Sequence, residues 1–389
     1  MPEPTGFIPF NKPFTIGREL EFISMAVKSG HISANGFFTE KCIDFFTEKY
    51  KLKKCFLTSS CTDALEMAAL LLEIHQGDEV IIPSYSFVST ANPFVLRGAK
   101  IIFADSCFDH PNIDAEQVES LITSKTKAIV CVHYAGMACN LEKLVSICKK
   151  YNVALVEDAA HAIESLWFPA GKESGKQLGS IGTLGTFSFH ETKNISSGEG
   201  GLLCVNDENY IARAEIISEK GTNRSSFFRN EVNKYEWMDV GSSFLASELA
   251  AAFLYGQLEC LDKIQKRRLE NWNDYHTQLE ALEKESLVQR PQIPSWAMTN
   301  GHIYYLVCRS AKERSELIAL LKKNNIQSVF HYQSLHKSPF YRNFSNGINL
   351  PNADRFSDCL VRLPLYYELS SEEISRICSV IRSFYGFTF

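Results

Sequence analysis

The 389-residue sequence has no C-x-x-C pair, no excess of basic residues, no apolar run of about 18 residues and no internal repeat, and each absence excludes a class of protein. Its 12 cysteines are scattered from Cys42 to Cys378, with Cys131 and Cys139 at the closest relevant spacing. That scatter fits neither a zinc ribbon nor a disulfide framework, and it reads as reduced core thiols in a cytoplasmic protein. A formal net charge of -5 supplies no basic field for nucleic acid. Without a long apolar run there is no membrane span, and the opening Met1-Pro-Glu-Pro-Thr5 lacks the basic and apolar regions of an export signal. With 45% hydrophobic residues and no low-complexity tract, nothing in the chain reads as disordered.

What is present exceeds one hydrophobic core, so we expect a large domain over residues 1–255, including an N-terminal segment, and a smaller α+β domain over 256–389. The class is α/β. Strand-like runs at 79–83, 99–105, 128–133, 154–158, 186–189 and 201–205 alternate with helical patterns, which predicts a mostly parallel sheet covered on both faces. Leu141, Leu144, Val145 and Cys148 form one core-facing stripe, and Ala64, Leu65, Ala68, Ala69 and Leu72 form another.

In such sheets ligands gather beyond the carboxyl ends of the strands. Five polar segments fall there: Thr58–Thr62, Ser84–Phe87, His133–Gly136, Asp158–His161 and His190–Lys193. The spacing therefore predicts one cleft built from five segments. Residues 222–240 read as a long polar and aromatic loop that covers a site or an interface. Helical sequence resumes at Ser247, and capping boxes are predicted at Ser310/Glu313 and Ser370/Glu373.

Lys193 stands in Phe187-Ser-Phe-His-Glu-Thr-Lys193-Asn194, ahead of Gly198-Glu-Gly-Gly201, and Asp158 lies upstream in Val156-Glu-Asp158-Ala-Ala-His161. A lysine can form an imine with the aldehyde of pyridoxal phosphate (PLP), and a carboxylate can keep its pyridine nitrogen protonated, so that the ring accepts a carbanion's electrons. Thr58-Ser-Ser-Cys61-Thr62 opens a helix whose free amides and hydroxyls suit a phosphate, the alternative being an ordinary N-cap. Ser188 could add a hydroxyl to the same phosphate. Phe87 could stack on the ring or pack in the core, and His161 could meet the ring's phenolate oxygen or be a packed histidine. Lys193 has a second task, moving a proton once an amino donor has displaced it.

These residues resemble the PLP-dependent aminotransferases of nucleotide-linked keto sugars, the DegT/DnrJ/EryC1/StrS family, over nearly the whole chain from Ile8-Pro-Phe-Asn11 to Arg362-Leu-Pro-Leu365. The resemblance implies an aspartate-aminotransferase-like fold (PLP fold type I) and L-glutamate as amino donor. It also implies PLP alternating with pyridoxamine phosphate, and a homodimer whose subunits share active sites. Pro83–Thr90, Val95–Lys100, His133–Gly136, Lys220–Ser225 and Asp239–Ser243 resemble the branch that converts dTDP-4-keto-6-deoxyglucose to dTDP-4-amino-4,6-dideoxygalactose.

His161 stands where many relatives have Gln, while Ser243 and Leu245 stand where many have Asn and Arg; Ser243 is the expected cross-subunit phosphate contact. For the sugar nucleotide the resemblance offers Arg224, Arg229, Lys234, Tyr235 and Trp237, or else a solvated loop, and His331, Tyr332 and His336 in the smaller domain. Alternatives are another keto-sugar acceptor, with a 3-keto group or a 4-amino-4,6-dideoxyglucose product, and a non-catalytic PLP-binding regulator.

Overall fold

The structure is a computed structural model that describes residues 6–342, 344 and 347–387, so the Met1–Thr5 run lies outside the described residues. Helices α1 (Glu19–Lys28) and α2 (Phe37–Tyr50) lead into β1 (Lys54–Thr58), α3 (Cys61–Leu71), β2 (Glu79–Pro83), α4 (Asn92–Leu96), β3 (Lys100–Ala104) and α5 (Ala115–Val118). There follow β4 (Thr126–Val132), α6 (Leu141–Tyr151), β5 (Ala154–Asp158), the short β6 (Leu166–Trp167) and β7 (Lys176–Gln177), and then β8 (Leu184–Ser188) and β9 (Gly201–Val205). The seven-stranded sheet runs β1-β9-β8-β5-β4-β2-β3, and β9 alone lies antiparallel to its neighbours.

Strands buried on both faces are apolar along most of their length, and β2 is buried throughout. Alternation then sorts the side chains between two layers. Ile81, Ile129 and Leu155 pack with residues of α1, α2 and α6, while Val80, Ile82, Val130 and Val156 pack with α3. Leu141, Leu144 and Cys148 face the core as expected, with Val145 half-buried. In α3 it is Leu71 that is buried; Leu72 is only half-buried, because the helix ends at Leu71 and its C-cap turns away from the stripe.

Residues 222–240 are not the bare loop expected. They hold α7's successor, the short α8 (Arg224–Phe228), where α7 is Ile211–Ser218. Ser247 caps α9 (Glu248–Leu258), which packs on α1 and α2. The buried Glu248 carboxylate accepts the Gly36, Phe38 and Thr39 N–H groups at 3.0, 2.8 and 2.9 Å, so an anion sits at the positive end of α2. A Cβ at Gly36 would fall 2.6 Å from the Glu248 carboxyl carbon, so only glycine admits this contact.

Beyond α9 come α10 (Leu261–Gln278), α11 (Glu280–Lys284), β10 (Ala297–Met298), β11 (Tyr305–Val307), α12 (Ala311–Lys323), α13 (Pro351–Cys359), β12 (Leu360–Arg362) and α14 (Ser371–Phe384). β11 and β12 pair antiparallel, and α10, α12 and α14 close a separate core around Trp272, Tyr304, Leu321 and Ile377. Ile8 belongs to that core, its N–H donating to Asn325 O at 2.9 Å. The packing partners change within α10: Leu261 and Ile264 pack in the core that holds α1, α2 and α9, whereas Trp272, Tyr275 and Leu279 pack with Ile8, α12 and α14. The Ser370 capping box closes in both directions. At Ser310 only half of it forms: the hydroxyl caps Glu313 N–H, but the Glu313 carboxylate accepts from Arg309 Nε at 3.0 Å, a charge-assisted bond that outcompetes the backbone amide.

Candidate active site

The carboxyl ends of β1, β2, β5 and β8 open onto a cleft of about 830 Å³ that residues 329–333 and Arg362 of the smaller domain close from the other side. That volume suits a small-molecule cofactor together with part of a substrate. Cys61, Thr62, Phe87, Asp158, His161, Ser188, Lys193, His331 and Tyr332 all line it. The His133–Gly136 segment does not. His133 is fully buried behind the cleft, with Nε2 3.0 Å from Glu157 Oε2 and Nδ1 accepting from Cys139 N–H at 3.2 Å, so it braces β4 against β5.

At the opening of α3 the Ser60 hydroxyl accepts from Asp63 N–H at 3.0 Å, which makes Ser60 an ordinary N-cap. The amides of Cys61 and Thr62 precede the first intrahelical bonds and remain for an anion. The helix can approach because β9 begins with glycine: a Cβ on Gly201 would lie 2.4 Å from the Ser60 carbonyl. Phe87 is 53% exposed, with its ring 5.8 Å from that of Tyr332, so core packing does not account for it and an aromatic face is left at the mouth of the cleft.

Asp158 ends β5 and is buried. Its Oδ2 accepts from Thr90 Oγ1 at 2.7 Å and its Oδ1 from Ala160 N–H at 3.2 Å. Thr90 has one hydroxyl proton and gives it to Asp158, so Ser86, 2.7 Å away, must donate to Thr90. Burial raises the Asp158 carboxyl, while the Thr90 and Ala160 hydrogen bonds and the charge of Lys193 pull it back. Thr90→Val removes a charge-assisted bond of about 1.5–3 kcal/mol. We expect turnover to fall roughly tenfold or more with the fold intact, and steady-state kinetics beside circular dichroism check this.

His161 Nδ1 accepts from Ala135 N–H at 3.3 Å, which places its proton on Nε2, facing the Tyr332 hydroxyl at 3.4 Å. Burial first, then the charges of Lys193 and Arg362, hold it well below the ordinary histidine range, so the ring is neutral. His302 stacks obliquely at 4.6 Å between ring centres, with its Nδ1 2.8 Å from Asn194 Oδ1.

Lys193 sits in the turn after β8, its N–H donating to His190 O at 2.9 Å. Among the described residues no hydrogen bond or ion pair engages its Nζ. Its pKa is lowered to about 8: burial lowers it most, Cys61 and Asp158 pull upward, and Arg362 pushes further down. A solvated lysine is protonated up to pH near 10. The free amine of the cofactor-free enzyme therefore grows as pH rises through about 8, and the rate of PLP attachment should rise with it. Arg362→Met should move that inflection upward, which stopped-flow reconstitution over pH reads directly.

Thr90, His302, Arg362 and Phe10 also line the cleft and were not singled out from sequence. Arg362 is the most informative of them. It is buried, stacks over Phe10 with its guanidinium carbon 4.8 Å from the ring centre, and donates from Nη1 to His331 Nδ1 at 2.5 Å. Burial and the guanidinium push His331 down to about 3, so it accepts as a neutral ring. Nε of Arg362 is buried with no partner, and among the described residues no carboxylate pairs with it. A cation in this state is a site for a ligand's carboxylate or phosphate.

The structure does not bring the 222–240 candidates to this cleft. Arg224 and Arg229 line a second cavity of about 600 Å³, and Arg229 is already held by Glu215 (2.8 Å to each oxygen) and by Glu231. Lys234, Tyr235 and Trp237 are exposed and line neither cavity; Trp237 Nε1 donates to Asp239 O at 2.7 Å. Ser243 is exposed and bridged to Glu219, also away from Lys193. His336 is buried beneath the cleft, with Nδ1 2.7 Å from Ser84 Oγ. Tertiary placement of a loop is not readable from its composition, which is why these residues looked alike in the sequence.

An unengaged lysine and a buried carboxylate at the ends of adjacent parallel strands, beside free helix-opening amides and an open aromatic face, match the parts of PLP that must be held. The fold and the cleft together define a PLP-dependent aminotransferase of sugars. Residues 15–382 match the DegT/DnrJ/EryC1/StrS aminotransferase family, and the chain belongs to that family. GDP-perosamine synthase of Escherichia coli O157:H7 is 30% identical over 384 residues, covering 98% of this chain and 99% of that protein. Among solved structures, the aminotransferase TlmJ from Streptoalloteichus hindustanus superposes with a TM-score of 0.89 at 26% identity, covering 98% of this chain and 99% of that one. Spr1654 from Streptococcus pneumoniae is 25% identical, with TM-scores of 0.87 in its PLP form and 0.88 in its PMP form, each covering 97% of this chain and 98% of that one. No helix among the described residues is long and apolar enough to cross a membrane.

Proposed function

We propose that the protein transfers the amino group of L-glutamate to the 4-keto carbon of a nucleotide-linked 6-deoxy sugar, dTDP-4-keto-6-deoxyglucose, giving dTDP-4-amino-4,6-dideoxygalactose. When bound, PLP supplies an electron sink and carries the amino group between the two substrates. The observation that carries the reading is the convergence on one cleft of Lys193, Asp158 and Arg362, whose Nε has no partner.

Lys193 Nζ would anchor the cofactor and supply an amine to move a proton, a task suited to a pKa near 8. Asp158 would hold the proton of the pyridine nitrogen, and the helix-opening amides of Cys61 and Thr62 with Ser188 would hold the phosphate. His161 Nε2–H would be a donor for the phenolate oxygen, and Phe87 an aromatic face for the ring. Arg362 receives the donor's carboxylate, and Tyr332 and His331 border the sugar.

The second reading is a GDP-linked keto sugar, favoured by the likeness to GDP-perosamine synthase. Purified enzyme incubated with glutamate and each keto sugar, followed by determination of the product's configuration, separates them. Amination of the dTDP sugar to the galacto product is expected; exclusive use of the GDP sugar or a gluco product overturns the first reading.

The exposed Ser243 and the 222–240 excursion, both remote from their own chain's Lys193, support a homodimer in which these residues complete the partner's cleft. Mixing a Lys193→Ala chain with an Arg224→Ala chain should then restore activity that neither has alone. All 12 cysteines are unpaired, which supports a reducing, cytoplasmic location.

A further inference from the structure

Beyond the carboxyl end of β3, the edge strand of the sheet, the chain makes a tight loop, closed by the bridge between Ser106 and Ile113 and by Cys107 N–H donating to Asn112 O at 2.9 Å. Within its turn three potential ligand atoms, one each from Cys107, Asp109 and His110, lie within 4.8 Å of one another. Two features separate this cluster from the buried Cys131–His133–Cys139 group. There both nitrogens of His133 and the Cys139 thiol are already engaged, the thiol with Val132 O, and all three residues are sealed from solvent. At the loop, His110 is only 4% exposed, yet its Nδ1 is buried without a partner and its Nε2 stands 3.7 Å from Asp109 Oδ1, beyond hydrogen-bond distance. A buried ring nitrogen without a partner costs free energy that a ligand at Nδ1 would recover. Asp109 is exposed, so the cluster has an entry path.

We propose that Cys107, Asp109 and His110 form a divalent transition-metal site, best suited to Zn²⁺, with water in the fourth position. Sulfur, imidazole nitrogen and carboxylate oxygen together are the donor set that zinc accepts in tetrahedral geometry, and one such atom from each residue lies within 4.8 Å of the others. Cysteine ligates a metal as its thiolate. Binding therefore releases one proton from sulfur and exchanges the weak contact of Sγ with Ile113 O, at 3.5 Å, for a bond to the metal. The opposing cation is Arg355, which lies 5.1 Å over the Phe108 ring and donates to Phe108 O.

The loop is also the seam between the two domains. Gln289 Nε2 donates to Asp109 O, Asn352 Nδ2 donates to Ser106 O at 3.0 Å, and the Asp105 carboxylate accepts the Asn352 and Ala353 N–H groups that open α13 at 3.2 and 2.8 Å. A metal here would fix the loop on which the smaller domain rests.

The test is titration of chelator-treated holoenzyme with Zn²⁺, and with Co²⁺ as a spectroscopic probe read as a difference spectrum against the Zn²⁺-loaded enzyme. One ion per chain is expected, with a thiolate-to-Co²⁺ charge-transfer band that Cys107→Ser abolishes, and at least tenfold weaker Zn²⁺ binding in Cys107→Ser and His110→Asn. The exposed Asp109→Asn variant, which leaves the packing untouched, should also bind more weakly and keeps the test open if His110→Asn misfolds. Absence of stoichiometric uptake, absence of the band, or uptake unchanged in Cys107→Ser and Asp109→Asn overturns the assignment.

Discussion

Lys193→Ala is expected to abolish transamination, with a loss of about 10⁴-fold or more, while the protein stays folded. The size follows from two tasks vested in one nitrogen: general acid–base transfer alone supplies roughly 10²–10⁴-fold, and the covalent anchor is lost as well. Survival of the fold follows from the surroundings of Nζ, which no hydrogen bond or ion pair engages among the described residues, so its removal strands no partner. The cofactor-free variant should in fact be more stable than the cofactor-free wild type. The folded-state pKa, about 8, lies below that of an unfolded lysine, so the unfolded chain binds more protons between those values and wild-type stability rises with pH across that window. Below pH 8 the burial penalty is present in full, about 3 kcal/mol, and Lys193→Ala relieves it; towards pH 10 the advantage disappears. Denaturant midpoints at pH 7 and pH 10 check the sign. Retained turnover, or an unchanged absorbance band of the lysine-bound cofactor, would show that another lysine does the work.

The sheet could be read from sequence because its strands are short, largely apolar runs separated by helices with clear stripes, so local pattern and tertiary burial agree. That Lys193 and Asp158 would line the cleft was legible for the same reason, since polar residues at or just past the end of such a run fall on the ligand side of the sheet. Thr90 was not. Its hydroxyl is one of several in Pro83–Thr90, and only packing of that segment over β5 selects it as the donor to Asp158. Arg362 ends a strand of the smaller domain, and its lack of a counter-ion depends on which carboxylates the fold brings near it. The substrate candidates at 222–240 lie outside their own chain's cleft, and Arg229 is held by Glu215 and Glu231; composition carries no information about which cleft, its own or a partner's, such a segment meets. His110 carried no signal at all, because a single histidine in a loop shows its missing partner only once it is buried.

Asp158→Asn separates charge from shape at the other end of the reacting unit. The amide fills the same volume, and its oxygen can still accept from Ala160 N–H, as Oδ1 does now at 3.2 Å. Its NH₂ would then face Thr90 as a donor, so Thr90 must accept and pass its own proton to Ser86. The three-group chain reverses without leaving a group unsatisfied, because each hydroxyl can serve either role. Fold and cofactor uptake should therefore be nearly unchanged. What disappears is the negative charge against the pyridine nitrogen, and removing one partner of a buried ion pair costs about 3–5 kcal/mol. At about 1.4 kcal/mol per tenfold change, turnover should fall by roughly 10²–10³-fold or somewhat more, with the loss falling on the half-reaction with glutamate as much as on that with the sugar. Single-turnover kinetics with glutamate alone measure this without any assumption about which sugar is the acceptor. A variant that binds PLP normally and reacts with glutamate at the wild-type rate would remove Asp158 from the chemistry and leave its burial beside Lys193 a structural fact only.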